Sequence, residues 1–118
     1  MPEESPITAR NAPDRRRYEL VDAGAVVAQC DYLPFGTAAG PQRILHHTTV
    51  DESYGGQGLG GRLARFAVEG TIDAGLQIVP VCPFIKAWLG RHPEYDAHVA
   101  PVRPEHLAAV PPGSGRPE

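Results

Sequence analysis

Only two cysteines occur in 118 residues, Cys30 and Cys82, and they lie far apart with no CxxC pair. That excludes a disulfide framework and fits a reduced, cytoplasmic protein. No pair of His or Cys residues has metal-ligand spacing, so no metal is expected. Long apolar runs are missing too, which excludes a membrane-spanning helix, and Met1-Pro2-Glu3-Glu4 lacks the basic start of a secretory leader. The expectation is a soluble, intracellular chain. Basic residues are in deficit: 11 Lys+Arg stand against 14 Asp+Glu, a formal net charge of -3, which argues against nucleic acid as a partner. No internal repeat is visible, and the length suits one domain with a single core.

Residues 1–15 are polar, carry Pro2, Pro6 and Pro13, and show no apolar period, which predicts a loose N-terminal tail. Residues 103–118, rich in Pro and Gly, predict a second tail, leaving 16–102 as the folded domain. Within it, Arg17–Val21 and Ala25–Leu33 read as strands joined at Asp22-Ala23-Gly24 into a hairpin. Pro34–Pro41 reads as a loop, and Gln42–Val50 as a third strand. From Gly58 the period becomes helical, with Leu59, Leu63, Phe66, Ala67, Gly70 and Ala74 on one stripe and Gly75 as a stop. Leu76–Val81 is a short apolar run suited to a strand covered on both sides. Pro83 then opens a helix with Phe84, Ile85, Trp88 and Leu89 expected on its buried side. The order predicts an α/β fold: a β-meander leading through a βαβ crossover into a C-terminal helix, with a mixed sheet.

The glycines of Gly55-Gly56-Gln57-Gly58-Leu59-Gly60-Gly61-Arg62 fall where the third strand hands over to the helix. Glycine lets backbone approach a ligand closely, and a helix start leaves amide N–H groups without intrahelical partners. Together they suit an anion such as a pyrophosphate. A tight turn alone would also use such glycines. Gly56-x-Gly58-x-x-Gly61 matches a dinucleotide fingerprint, but the following strand ends Pro80-Val81-Cys82 without the carboxylate that grips the ribose. A nucleotide P-loop fails because Arg62-Leu63 stands where Lys and Ser/Thr are required.

The loop resembles the pyrophosphate loop of the GCN5-related N-acetyltransferases. The resemblance extends to a subgroup of minimal, YjdJ-like acetyltransferases through His47-Thr48-Thr49-Val50, Gly56-Gln57-Gly58-Leu59-Gly60, Cys82-Pro83-Phe84 and His92-Pro93-Glu94-Tyr95, in that order. Two positions depart from the pattern: Gly55 stands where Arg or Gln usually opens the loop, and Thr49 where the subgroup often has Glu. The resemblance implies an N-acetyltransferase with acetyl-CoA held by Gly55 to Arg62, acting on an unidentified small amine or exposed lysine.

An amine must lose a proton before it attacks, and the thioester carbonyl gathers negative charge. A backbone N–H near Thr49 or Val50 is expected at that carbonyl. His46, His47, Glu52 and Cys82 are candidate proton acceptors. In a regular strand His46 and His47 face opposite sides, and His47 is preferred. Cys82, at a strand end before a helix start, is either an acetyl relay, a proton shuttle or a small buried side chain. Arg62 and Arg65, in the first two turns of the helix, could each meet a CoA phosphate or form a solvated helix face, the latter favoured for Arg65. Two other readings stay open: a non-catalytic CoA- or acyl-CoA-binding module acting through a protein partner, and a small interaction protein with no cofactor.

Overall fold

The computed structural model describes residues 7–56 and 58–111, so Gln57 and the outer parts of the two expected tails, 1–6 and 112–118, lie outside the described residues. Five strands form one sheet in sequence order: β1 (Thr8–Ala12), β2 (Arg17–Asp22), β3 (Ala25–Thr37), β4 (Gly40–Val50) and β5 (Gln77–Pro80). The first four are antiparallel, and β5 runs parallel to β4 after a crossover through α1 (Leu59–Asp73). α2 (Pro83–Gly90) follows β5, and a short α3 (Pro104–Ala109) closes the described chain. The mixed α/β architecture read from the sequence is borne out.

The β2–β3 hairpin turns at Ala23 and Gly24, with φ of 52° and 85°. Two positive-φ residues in a two-residue connection match the right-handed twist of the flanking strands. The loop expected over Pro34–Pro41 is instead strand on both sides of a tight turn at Ala38-Ala39. Both prolines fit because β2 pairs β3 only as far as Asp31, and β5 pairs β4 only from Gln42. Neither proline therefore has to donate to a neighbour on that side. β1 corrects the reading of residues 8–12 as a tail. Its only apolar side chains are alanines, too weak a pattern to show, yet it pairs with β2 along its whole length.

α1 and α2 pack on one face of the sheet, over Tyr18, Leu20, Cys30, Tyr32, Leu45 and Ile78. The lower part of the opposite face carries Ile44, Val79 and Val81, covered by Ala100 and Val110 from the C-terminal segment. Apolar side chains on both faces explain why β5 reads as a continuous apolar run. They also explain why α3 is held where a tail was expected. His106, 2% exposed, accepts the Arg103 N–H at Nδ1 (3.0 Å), and its Nε2 lies 2.8 Å from Gln42 Oε1. Phe84 departs from its expected burial, being 40% exposed beside the start of α1.

Candidate functional site

Pairing between β4 and β5 ends at Leu45 and Pro80, with one further bond from Cys82 N–H to Leu45 O (2.9 Å). β4 then runs on to Val50 while the other chain turns into α2. The two elements part, and one edge of β4 is left without a strand. Asp51 N–H donates to Val27 O across the β3 side. Strand alternation then turns the amides of Thr49 and His47 toward β3, and those of Thr48 and Val50 into the gap. Val50, not Thr49, is thus the member of the expected pair with an amide facing the opening.

The connection to α1 begins with Asp51, whose Oδ1 accepts Ser53 N–H (2.9 Å) and Ser53 Oγ–H (2.7 Å). Gly55 is extended (φ -60°, ψ 144°), a conformation open to any residue. Gly56 and Gly58 have φ of 82° and 72°, where a Cβ is strained, and neither would meet an atom within 4 Å if it carried one. Open space lies in front of the glycine turn. Gly58 caps α1 without a side chain, and its carbonyl accepts the first helical bond, from Arg62 N–H (3.2 Å). The amides of Leu59, Gly60 and Gly61 precede that bond, so they have no helical carbonyl. Leu59 itself points into the core, 3% exposed. Gly60 answers to packing: a Cβ there would sit 2.8 Å from Phe84 Cζ, so its bareness lets α2 approach α1.

A cleft of about 480 Å³ runs from this turn along α1, with Gly58, Gly61, Arg62, Arg65 and Trp88 in its lining. Arg62 does not extend freely, since one of its terminal N–H groups donates to Ile7 O (3.1 Å). Arg65 donates to Tyr95 Oη (2.9 Å), lies 3.7 Å from Glu69 and stacks 5.2 Å above the Trp88 ring. Tyr95 donates in turn to Glu69 (2.6 Å), and that carboxylate raises the phenol's pKa. His92 stacks on Trp88 at 3.9 Å. The His92-Pro93-Glu94-Tyr95 block therefore lies against the helical flank of the cleft.

Cys82 caps α2 and is 4% exposed, with Sγ 3.3 Å from Thr48 Oγ1. Thr48 was not among the expected site residues. Its signal is its parity: it pairs with core-facing Cys30, so it shares the helical face with Cys82, whereas Thr49 takes the opposite face. Both cysteines are free thiols, and complete burial pushes the Cys30 thiol up.

The regular-strand assumption behind the two histidines fails. Asp31 pairs with His47 and Tyr32 with Leu45, so His46 is an inserted residue and both histidines oppose Asp31. The bulge falls directly after the last β4–β5 pair. His46 is 5% exposed with Nδ1 buried and unpartnered, and burial lowers its pKa below the usual histidine range. His47 is half-buried and Glu52 exposed. Among the described residues no cluster of three or more His, Cys, Asp or Glu could hold a metal, and no helix is long and apolar enough to cross a membrane.

A five-stranded mixed sheet whose two parallel strands part beside a glycine-opened helix N-terminus places the protein in the mixed α/β class. The profile of the family described as GCN5-related N-acetyl-transferase matches residues 17–99, most of the chain, and the protein belongs to that family. The fold is similar to the NMR solution structure of a candidate GCN5-like N-acetyltransferase from Staphylococcus aureus. The TM-score is 0.58 at 23% identity, over 84% of this chain and 93% of that one. No curated protein matches the chain.

Proposed function

We propose that the protein is an acetyl-CoA-dependent N-acetyltransferase acting on a small amine or an exposed lysine, within the minimal YjdJ-like part of its family. The observation that carries this reading is the parting of β4 and β5 beside the open glycine turn, in a chain of this family. The residues fit the carrier. Gly56 and Gly58 leave a cradle that a Cβ would strain, and the first amides of α1 suit a diphosphate. In this reading Gly55, Gly56, Gln57, Gly58 and the Leu59–Arg62 turn hold that end, and β4 from Thr49 to Val50 aligns the acyl arm. When bound, acetyl-CoA supplies the acetyl group.

This chain's own groups would do the rest. Val50 N–H, aimed into the gap, is an electrostatic partner for the charge that gathers on a carbonyl oxygen there. His47 stays the assigned proton acceptor, and neutral His46 beside it is ready to accept a hydrogen bond from the incoming amine. Cys82, bonded to Thr48, borders the same gap as a proton shuttle. The parted strands admit the acceptor from the face opposite α1 and α2.

Acetyl-CoA should raise the melting temperature, and free CoA should be released in the presence of an amine panel. Binding without release on any amine would favour a CoA-binding module. No rise at saturating acetyl-CoA would defeat both readings.

A further inference from the structure

Glu19 lies on the sheet face opposite α1 and α2, because its neighbours Tyr18 and Leu20 point into the core those helices cover. It is nevertheless 0% exposed, and the residues that bond to it are three arginines. Arg10 Nε donates at 2.8 Å, Arg15 through Nε and a terminal nitrogen at 3.0 and 3.1 Å, and Arg17 through Nε. A carboxylate has about four acceptor sites, so these four bonds fill it, whereas each guanidinium carries about five N–H donors. Most donors are left over, and two of the three positive charges have no counter-charge from Glu19. Among the described residues no second carboxylate forms an ion pair with any of the three. Asp31, paired with Arg17 in the ladder, accepts from Gln29 (3.1 Å), and Asp14 lies next to Arg15 in sequence. Arg10 and Arg15 are each about half exposed, at 50% and 48%. A chain of net charge -3 thus concentrates fixed, solvent-facing guanidinium donors at one point.

The ladder relates that point to the gap. Arg10 pairs with Glu19, Glu19 with Gln29, and Gln29 with Thr49, so all four share one row on one face. From Glu19 to Thr49 is two strand spacings, about 10 Å. We propose that Arg10, Arg15 and Arg17, organised by Glu19, form an anion-binding site that anchors the acetyl acceptor. The acceptor would then be an amine that also carries a phosphate or carboxylate about 10 Å from its nitrogen. The anion site stands on the arginine geometry alone, while its role toward the acceptor rests on the acetyltransferase reading.

The first test is an NMR titration of the full chain with inorganic phosphate, following the arginine Nε–Hε signals. Those of Arg10, Arg15 and Arg17 should shift together and saturably, and the shifts should vanish in Arg10→Gln/Arg17→Gln, which keeps Arg15 on Glu19. Scattered or absent shifts would overturn the site. The second test compares acceptors that differ only in the anion. One arm uses 6-aminohexyl phosphate against 6-aminohexanol. The other uses a peptide with glutamate two residues after its lysine against the glutamine version. The anionic member of at least one pair should have kcat/KM higher by about fivefold or more, through KM, and the double variant should erase that gap. The arm that responds distinguishes a phosphorylated small amine from an acidic peptide. Equal rates within both pairs would overturn the anchoring role. Saturable phosphate binding without acetylation of any amine would leave the anion site standing and defeat the acetyltransferase reading instead.

Discussion

Two glycines in α1 set up the same substitution with opposite outcomes. A Cβ at Gly60 would lie 2.8 Å from Phe84 Cζ, and one at Gly70 would lie 2.9 Å from the Tyr18 ring. By distance alone they are equivalent; the neighbours decide. Phe84 is 40% exposed and meets the new methyl with the far end of its ring, so rotation toward solvent costs about 0.5–1 kcal/mol. Replacing a helical glycine by alanine returns up to about 1 kcal/mol, so Gly60→Ala should be close to neutral. Tyr18 has no such freedom. It is 1% exposed, its hydroxyl accepts from Arg43 (2.6 Å) and lies 3.3 Å from Thr71 Oγ1, and its ring packs on Tyr32 and Phe66. Forcing a methyl into such a site costs about 1–3 kcal/mol and breaking the Arg43 bond adds about 1, so after the helical gain of about 1 Gly70→Ala should lose about 1–3 kcal/mol net. At about 4 °C per kcal/mol, Gly70→Ala should melt several degrees below Gly60→Ala. Urea unfolding should show the same gap in midpoint at constant m. If Gly70→Ala melts at or above Gly60→Ala, the claim that the hydrogen-bonded Tyr18 is immovable is wrong.

Glu19 should shape the acid limb of stability. The arginines hold its pKa at about 2 against the usual 4.5. A depressed carboxylate gives its full stabilisation above pH 4.5 and loses it as pH falls toward 2, because the unfolded chain takes up the proton first. The ceiling is about 3 kcal/mol, and solvent screening of the half-exposed arginines reduces it to about 1–2. Glu19→Gln should flatten that limb in a stability-versus-pH series, and an unchanged limb would refute the assignment. Gly58→Val forces a β-branched residue to φ 72°, costing about 1–2 kcal/mol, and should abolish the melting shift produced by acetyl-CoA. An intact shift would show that the turn does not grip the carrier. With iodoacetamide and mass mapping, Cys82 should label before Cys30, whose thiol is wholly buried and pushed up, and acetyl-CoA should slow labelling of Cys82. Faster labelling of Cys30 would contradict the burial order.

Elements with a strong apolar period were legible. Leu59, Leu63 and Ala67 announce α1, and Ala23-Gly24 the β2–β3 hairpin, because local propensity and the fold agree there. Elements stabilised by distant partners were not. β1 presents little but alanine to the core and is held by pairing with β2. α3 is short and proline-led, and is held by His106 on Gln42, which lies 64 positions away in sequence. Phe84 reads as a core residue by spacing, yet the approach of α2 to bare Gly60 leaves its ring at the surface.

The site divides along the same line. The glycine turn is a local object, and its composition alone marks a strand-to-helix junction. The chemistry beside it depends on register, which composition does not carry. A single inserted residue at His46 puts both histidines opposite Asp31, where strict alternation would have separated them. The same alternation, read from Asp51 back along β4, selects Val50 over Thr49 as the amide facing the gap and brings Thr48 to Cys82. Arg10, Arg15, Arg17 and Glu19 look like ordinary charged surface in one dimension. Only the pairing of β1 with β2 shows that one saturated carboxylate holds three guanidiniums on the face that would receive an acceptor. Whatever specificity this protein has is therefore written in which strand stands beside which, more than in any motif along the chain.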